Sequence, residues 1–413
     1  MNPPATNWAG NVTFRARRVH RPSSVDELCA VVAASDRLRP LGTTHSFNDI
    51  ADTTGDQVSV AGLPPEIDID SARATVRVAG GLRYGEVAAH LHRAGWALPN
   101  LGSLPHISVA GACATGTHGS GDGNGNLATA VVALDLVTAA GERVSVDDPR
   151  GTAVGLGALG VVTHLTLRVV PTFEVAQVVY DGMALPTSDA EFDEVFSAGY
   201  SVSLFTDWVG RSPNQLWLKR LADQAGPSPG PWLGAVPADG PRHPVAGMPT
   251  SHCTQQMGVP GPWYERLPHF RLEFTPSAGD ELQSEYAVAR EHAVEALAAV
   301  HEIRDRVSPV LHISELRTIA ADELWLSPSY QRDSLAIHFT WVKDPVAVAP
   351  VMAEVERRLA PWRPRPHWGK LFATPLVDLR DRYPRFADFA EMARRLDPAG
   401  KFRNAWLDAL LAA

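Results

Sequence analysis

The chain has 413 residues, of which 45% are hydrophobic and 20% charged, and its formal net charge is −9 at pH 7. This length predicts two domains, and the composition is that of an ordinary globular protein. The acidic balance and the lack of a long run of Lys or Arg argue against nucleic acid as a partner. No apolar stretch approaches the roughly 18 residues of a membrane span, so we expect no membrane association.

The start of the chain and its cysteines indicate a cellular compartment. The first 20 residues carry no apolar block behind a basic start, so we expect no signal peptide. Cys29, Cys113 and Cys253 are scattered and odd in number, which predicts reduced, buried thiols rather than a disulfide framework. We therefore expect a cytoplasmic protein, and we expect it to act as a monomer.

The N-terminal third alternates short strands with helical or glycine-rich segments. Ser24 and Glu27 stand at capping-box spacing and predict the start of a helix. Residues 84–91 have helical composition. The first domain boundary is placed at Pro171, where the last strand of this region ends. Strands are predicted at 37–41, 76–78, 131–138, 143–146 and 160–170, with the third and fourth joined as a hairpin.

The C-terminal half begins with a loop and continues with alternating elements. Residues 226–249 contain seven prolines and five glycines, so no regular element is expected there. Residues 294–307 have apolar side chains at helical spacing, and strands are predicted at 311–319 and 335–342. Near the end of the chain, Phe402 and Trp406 predict a tail that docks on a folded domain.

Two loops rich in small residues are candidates for a ligand site. Residues 40–46 form a turn whose backbone N–H groups suit an anion, and His45 ends that turn. Taken alone, this loop fits a plain connection with a surface histidine better. Residues 111–125 are mostly Gly, Ala, Ser and Thr, which lets backbone approach a bulky ligand closely. They match neither the Rossmann fingerprint nor a Walker A loop, and the alternative is a flexible surface loop.

Polar side chains also share faces on two predicted strands. Glu315 and Arg317 point the same way from one strand, and a solvated surface ion pair is an equally good reading as a functional pair. On the next strand His338 and Thr340 lie opposite an apolar face, so the two strands together suggest a sheet above a polar substrate. Lys370 follows in an aromatic setting, with a surface lysine as the alternative. The fifteen histidines show no metal-binding spacing, so no metal is expected.

Segments along nearly the whole chain resemble one known family. They resemble the vanillyl-alcohol-oxidase superfamily, with its para-cresol-methylhydroxylase-type FAD-binding fold, and within it the alditol oxidases. ATGTHG marks the superfamily, while the later segments narrow it to alditol oxidases. The segments are TNWAGN at 6–11, HSFN at 45–48, SLPHISVAG at 103–111, ATGTHGSG at 114–121, GALGVVT at 157–163, YSVSLFTDW at 200–208, QSEY at 283–286, ELRT at 315–318, HFTW at 338–341, RPHWGK at 365–370 and DPAGKFRNA at 397–405.

The resemblance implies an α+β, two-domain fold with a split FAD-binding domain. Residues 1–172 would form that domain, residues 173–370 a substrate-binding cap with an antiparallel sheet, and residues 371–413 a segment returning to the FAD-binding domain. His45 matches the histidine that bonds the flavin covalently. The further cofactor contacts implied are Leu41, Gly42, Thr43, Thr44, Ser46, Ser103, Ser108, Gly111, Thr115, Gly116, Thr117, His118, Val162 and His367.

For the reaction, the resemblance implies oxidation of the terminal primary alcohol of a polyol such as xylitol or sorbitol to the aldose. A hydride would pass to the flavin and oxygen would be reduced to hydrogen peroxide. Arg317 and Lys370 would stabilise negative charge, and either Glu315 or Lys370 is the candidate base, with Lys370 favoured if burial lowers its pKa. The implied substrate contacts are Ser103, Gln283, Glu315, Arg317, Thr340 and Lys370.

Two departures from the family pattern affect this expectation. Gly102 stands where alditol oxidases tend to carry alanine, and a small residue there admits oxygen, so an oxidase is preferred over a dehydrogenase. Asp122 stands where relatives tend to have a small apolar residue, and it either contacts the substrate or is a solvated loop carboxylate. The rival functions are an aldonolactone oxidase or dehydrogenase and a flavin- or sugar-binding protein without turnover.

Overall fold

The computed structural model of the protein describes residues 6–210, 214–224, 230–274 and 279–411. The strands are β1 (Val19–His20), β2 (Leu38–Pro40), β3 (Asp56–Val58), β4 (Ile67–Asp70), β5 (Thr75–Ala79), β6 (Trp96–Ala97), β7 (Val131–Val137), β8 (Arg143–Val146), β9 (Val161–Arg168), β10 (Val170–Pro171), β11 (Glu174–Asp181), β12 (Ser201–Thr206), β13 (Gln215–Leu221), β14 (Val236–Pro237), β15 (Gly261–Pro262), β16 (Leu282–Ala289), β17 (Leu311–Ile319), β18 (Ser334–Trp341) and β19 (Arg365–Pro366). The helices are α1 (Val25–Ala34), α2 (Tyr84–Arg93), α3 (Val109–Ala114), α4 (Asp189–Phe196), α5 (Ala293–His301), α6 (Arg304–Val307), α7 (Pro345–Leu359), α8 (Leu376–Leu379), α9 (Phe386–Leu396) and α10 (Ala405–Leu411).

The N-terminal part is built on two main sheets, and the short strands β6 and β10 pair separately. A three-stranded parallel sheet has the order β1-β3-β2, and a five-stranded antiparallel sheet has the order β4-β5-β9-β7-β8. Val76, Val78, Leu165 and Leu167 from the larger sheet are buried with the apolar face of α2. The predicted hairpin is therefore confirmed as β7 and β8.

The remaining large element is a nine-stranded sheet that carries the order β14-β11-β13-β12-β17-β18-β16-β19, with β15 beside β11. Strand β18 shows how its two faces differ. Leu335, Ile337, Phe339 and Trp341 are fully buried in the core that α5 and α7 complete, and the last two rings stack 4.7 Å apart. The alternate residues of the same strand point to the opposite face, as period-two geometry requires.

The C-terminal segment packs against the N-terminal part of the chain, as predicted. Phe402 is fully buried beside Leu28 and Val32 of α1. The guanidinium of the buried Arg39 donates to the backbone oxygens of Phe402 at 2.7 Å and Gly157 at 2.9 Å. A buried cation that donates to backbone carbonyls from distant segments fixes their relative positions.

The helix start predicted from Ser24 and Glu27 is confirmed, whereas two other local predictions need correction. Ser24 Oγ does accept from Glu27 N at 3.2 Å, but the Glu27 carboxylate bonds the N–H of Ser23 instead of closing the box on Ser24. The helix predicted over 294–307 is interrupted and forms α5 and α6. Within the proline-rich segment, of which 226–229 lie outside the described residues, β14 pairs with β11 because extended backbone accommodates Pro237 at a sheet edge. Over the described ranges, every helix is too short or too polar to cross a bilayer.

Candidate active site

A cavity of about 470 Å³ lies where the small-residue loops meet the polar face of the nine-stranded sheet. Loop residues from 40–48 and 102–118 contribute to its wall, and so do β16, β17 and β18. Nearly all residues predicted to contact cofactor or substrate are therefore brought together around one space. Those that line it are Leu41, Gly42, Thr43, Thr44, His45, Ser46, Ser103, Ser108, Gly111, Thr115, Thr117, His118, Val162, Gln283, Glu315, Arg317, Thr340, His367 and Lys370.

Gly116 is the exception: it does not line this cavity, and its contact with the cofactor stays a prediction. It lines a second, much smaller cavity together with Asn126 and Pro328. Its φ of +67° is left-handed, and a Cβ atom there would lie 3.2 Å from Cδ of Pro328. The glycine therefore serves a tight turn behind the main cavity.

The loops on one side of the cavity approach each other closely. A Cβ atom on Gly42 would lie 3.0 Å from Oγ of Ser108, and one on Gly111 would lie 2.8 Å from the same oxygen. Oγ of Ser108 and Nδ1 of His45 are both buried, and neither has a hydrogen-bond partner among the described residues. Both residues line the cavity, so a ligand held there can supply the partners that these two atoms lack. These residues therefore fit the FAD that the sequence implies.

His45 is held rigidly at the end of its turn. Its ring stacks on Trp8 with centroids 5.4 Å apart. Thr44 has a left-handed φ of 61°, and its carbonyl accepts from the N–H of Trp8 at 2.9 Å. Burial lowers the pKa of His45 to about 4. The imidazole is therefore neutral near pH 7 and keeps a nitrogen lone pair.

A buried carboxylate that sequence reasoning did not select stands at the centre of the opposite wall. Glu285 is 2% exposed and accepts from Nε2 of His118 at 2.6 Å, Nζ of Lys370 at 2.7 Å and Nη2 of Arg317 at 2.8 Å. Burial alone would raise its pKa, but Lys370, His118 and Arg317 together hold the pKa well below its usual range. Glu285 is thus an ionised carboxylate that accepts hydrogen bonds from three surrounding donors.

Glu315 and Arg317 face the cavity from β17, and together they connect its two walls. Glu315 Oε1 accepts from Nε2 of His269 at 2.7 Å and lies 3.5 Å from Nε of Arg317. Burial alone would raise the pKa of Glu315, but Arg317 and His269 lower it well below its usual range. Nη1 of Arg317 donates to Oγ of Ser103 at 3.2 Å, which joins the sheet to the loop wall.

Lys370 is tied to β18 as well as to Glu285. Its Nζ lies 2.9 Å from Nδ1 of His338, and Nε2 of His338 lies 3.1 Å from Oγ1 of Thr340. Burial lowers the pKa of Lys370, with Glu285 opposing that shift, and burial lowers the pKa of His338 to about 4. A neutral His338 that accepts from Lys370 donates to Thr340, whose hydroxyl hydrogen remains free for a ligand.

The residues that were missed carried different amounts of sequence signal. Glu285 stands two positions after Gln283 on β16, so strand alternation places both on one face and would have identified it. His269 lies on a loop without local periodicity and offered no such signal.

The structure bears on whether Asp122 contacts the substrate or is a solvated loop carboxylate. Its carboxylate accepts from Arg290 at 2.6 Å and from Ser197 at 2.6 Å. The residue does not belong to the described wall of the large cavity. Contact with the substrate is therefore not supported, and Asp122 is a partly exposed loop carboxylate in an ion pair.

Two known protein families match different parts of the chain. The family described as FAD binding domain matches residues 16–147, a range that contains His45 and Ser108. The family described as D-arabinono-1,4-lactone oxidase matches residues 280–410, a range that contains Glu285, Arg317 and Lys370. Each wall of the cavity thus lies mainly within one matched range.

Two curated relatives match over nearly their whole length. Alditol oxidase from Streptomyces sp. is 54% identical over 418 residues, which covers 100% of both chains. L-gulono-1,4-lactone dehydrogenase from Mycobacterium tuberculosis is 31% identical over 427 residues and 98% of both chains.

Solved structures share the fold at low identity. Cholesterol oxidase from B. sterolicum superimposes with a TM-score of 0.77 at 14% identity, covering 98% of this chain and 96% of that one. A chitooligosaccharide oxidase gives 0.75 at 13% identity, covering 97% and 93%. These likenesses establish the two-domain architecture with mixed helix and antiparallel sheet.

Proposed function

The chain belongs to the alditol oxidases of the vanillyl-alcohol-oxidase superfamily, and from this premise we propose that it oxidises the terminal primary alcohol of an alditol to the aldose. The acceptor of the electrons is oxygen, which becomes hydrogen peroxide. Xylitol, sorbitol and similar polyols are the proposed substrates. The proposal rests on family membership and on the chemistry of the cavity wall.

The observation that carries the proposal is the set of donors and acceptors around one face of the cavity. A polyol is a row of hydroxyl groups, each able to donate one hydrogen bond and to accept others. A site for it needs convergent polar groups of both kinds rather than an apolar slot. The cavity supplies them from both walls, namely Ser103, Gln283, Glu315, Arg317, Thr340 and Lys370.

We propose that Nζ of Lys370 is the base that accepts the proton of the reacting hydroxyl. Lys370 lines the cavity, and burial lowers the pKa of its ammonium. Glu285, 2.7 Å from this nitrogen, keeps the proton nearby once it has been taken up. The lowered pKa of Lys370 makes the neutral amine, which can accept a proton, more accessible, whereas Glu315, whose pKa is also lowered, is too weakly basic for this role. Arg317 stabilises negative charge on the substrate oxygen.

FAD, when bound, supplies the two-electron chemistry that these side chains lack. We infer that residues 40–46 and 103–118 hold it, with His45 as the point of covalent attachment. Support comes from the stacked, neutral imidazole with its unpartnered nitrogen. We also infer that residues 1–172 and 371–413 form the cofactor-binding domain and residues 173–370 the cap.

Oxygen as acceptor is supported by Gly102 at the cavity wall. The nearest atom that a Cβ there would meet is the backbone oxygen of His118, 3.6 Å away. The glycine therefore leaves room beside the cofactor wall for a small molecule. An alanine would also fit without a clash.

The assay that tests the function measures peroxide from the purified holoprotein with xylitol, sorbitol, gulonolactone and galactonolactone. The proposal expects turnover with the polyols and little with the lactones. Turnover confined to the lactones would establish the alternative of an aldonolactone oxidase, which has less support because the lactone dehydrogenase is 31% identical and the alditol oxidase 54%. No turnover with either class would contradict both.

Acid precipitation tests the attachment at His45. The yellow colour should remain in the protein pellet of the wild type and move to the supernatant for His45→Ala. Colour that leaves the wild-type protein on precipitation would remove the covalent bond while leaving the FAD site intact.

A further inference from the structure

Two further ionisable side chains extend in a line from Glu315, and no step of the proposed reaction uses them. Nζ of Lys219 lies 3.0 Å from Nδ1 of His269, and Nε2 of His269 lies 2.7 Å from Oε1 of Glu315. Lys219, on β13, is fully buried, and His269 is 4% exposed. The line runs from β13, whose residues do not line the cavity, through His269, which does, to a carboxylate in the same wall.

The hydrogen bonds along this line have a definite direction. The ionised carboxylate of Glu315 can only accept, so Nε2 of His269 must carry the proton. Burial, followed by the charge of Lys219, lowers the pKa of His269 to about 4, so the ring is neutral. Nδ1 then accepts from Lys219, whose Nζ also donates to the backbone oxygen of Leu267.

The arrangement also fixes which oxygen of Glu315 meets a ligand. Oε1 is taken by His269, whereas Oε2 accepts no hydrogen bond from any described residue. The rings of Phe205 and Trp217 meet His269 edge-on, with centroids 5.5 Å and 5.2 Å away. They prevent the imidazole from turning, so the free oxygen has a fixed direction.

A buried lysine without a direct carboxylate partner is costly, and packing alone does not explain it. An apolar side chain of similar volume would fill the same space at no desolvation cost. Burial lowers the pKa of Lys219 to about 7, while Glu315, on the far side of the ring, raises it. Glu315 is thus the carboxylate that favours the charged form of this buried lysine.

We propose that Lys219 and His269 are positioning residues of the polyol site, which fix Glu315 so that its Oε2 accepts a substrate hydroxyl. This inference rests on the proposed polyol oxidation and adds to it a supporting row that leads from the wall, through His269, to Lys219 on β13. A carboxylate held in this way presents one lone pair to the substrate before the substrate arrives.

Substitution of His269 separates positioning from packing. His269→Gln keeps an N–H donor for Oε1, whereas His269→Phe keeps only the ring volume. We expect kcat/KM for xylitol to fall by about a hundredfold in His269→Phe, since misplacement by roughly 1 Å costs that much, and to stay within about tenfold of wild type in His269→Gln. Equal values for the two variants, or values equal to wild type, would overturn the proposal.

Substitution of Lys219 tests the same line through a signal that does not depend on turnover. In protein with ¹⁵N-labelled histidine, His269 is identified by the signal that His269→Gln lacks. We expect the pH at which its ring takes up a proton to rise by about one unit in Lys219→Met, because a neighbouring positive charge is removed. The charged groups that face the ring are Lys219, Glu315 and Arg317, and the thiol of Cys253 faces Lys219.

Lys401→Met is the matched control. Its ammonium likewise donates to a backbone carbonyl, that of Val32 at 2.6 Å, but it does not line the cavity. Both kcat/KM and the titration of His269 should be unchanged in it. An identical titration of His269 in Lys219→Met and wild type would overturn the assigned line. The wild-type protein could be inactive on polyols while the titration of His269 still shifts in Lys219→Met. That result would contradict the proposed function and the positioning role, but the hydrogen bonds from Lys219 through His269 to Glu315 would stand.

Discussion

The two walls of the cavity differ in how their buried polar groups are hydrogen-bonded. The loop wall is formed by residues 40–48 and 102–118, and the sheet wall by β16, β17 and β18. On the loop wall, buried polar atoms such as Oγ of Ser108 and Nδ1 of His45 lack partners among the described residues. On the sheet wall, Glu285 accepts from three protein donors. Unpartnered buried atoms need a ligand in order to be satisfied, whereas charges that already pair with one another, as around Glu285, are organised beforehand. The loop wall thus suits a permanently bound cofactor, and the sheet wall suits a substrate that comes and goes.

The largest effect is expected from removing the assigned base of the sheet wall. Lys370→Met should slow reduction of the bound flavin by xylitol without oxygen by about 10²–10⁴-fold. The substrate concentration at half-maximal rate should change far less, because the other polar groups still bind the polyol. Stopped-flow absorption measures both quantities. Lys343→Met removes a lysine that donates to the backbone of Gly279 and should leave both unchanged. A wild-type reduction rate in Lys370→Met would remove Lys370 from the mechanism.

The paired charges of the sheet wall can be disrupted at their centre. Glu285→Gln leaves Lys370 and Arg317 buried without their shared counter-charge, so the free energy of unfolding should fall by about 3–5 kcal/mol. Urea unfolding measures this loss. Glu295→Gln, at an exposed pair with His292, should cost at most about 0.5 kcal/mol. Equal stabilities for the two variants would show that the wall is not organised around Glu285.

The same carboxylates predict how stability depends on pH. Glu285 and Glu315 have pKa values lowered from the usual 4.5 in the folded protein. Their contribution to the free energy of unfolding is therefore complete above pH 4.5. It is lost as the pH falls below 4.5 towards the pKa values that the two carboxyl groups have in the folded protein. Urea unfolding from pH 7 down to pH 3 should show this loss, with a shallower slope for Glu285→Gln. If the free energy of unfolding fell equally steeply with pH in the wild type and in Glu285→Gln, the lowered pKa of Glu285 would be contradicted.

The loop wall should respond to added volume rather than to charge. A Cβ atom on Gly81 would lie 2.7 Å from backbone atoms of Ala61, so Gly81→Ala should cost about 1–3 kcal/mol and lower the flavin content. On Gly102, the nearest atom would be 3.6 Å away. Gly102→Ala should therefore keep both stability and flavin. Thermal melts and the ratio of flavin to protein absorbance measure these effects, and equal flavin loss in the two variants would contradict a wall fitted by volume.

The smallest effect is expected outside both walls. Asp122→Ala breaks an ion pair with Arg290 that is partly exposed, so stability should change by at most about 1 kcal/mol. The ratio of kcat/KM for xylitol to that for sorbitol should stay within about twofold of wild type. A changed ratio would mean that Asp122 reaches the substrate after all.

Much of this architecture could be predicted from sequence because it depends on short-range pattern. Alternation on β17 placed Glu315 and Arg317 on one face, and both line the cavity. Small residues at 40–46 and 111–125 marked segments that approach each other. The same alternation on β16 held the information for Glu285, which was nevertheless overlooked beside Gln283.

Other features depend on contacts between distant segments, and no local pattern encodes them. His269 meets Glu315 across 46 positions and Lys219 across 50 positions of the chain. Gly116 belongs to a segment rich in small residues, yet its turn directs it to Pro328 rather than to the cavity. Only the folded topology decides which side of such a segment faces a ligand.

The most direct test of polyol oxidation follows the visible spectrum of the holoprotein mixed with xylitol in the absence of oxygen. The account predicts that the yellow absorption fades, that air restores it, and that aldose and hydrogen peroxide form in equal amounts. A flavin that stays oxidised with every polyol and fades with a lactone would contradict the account.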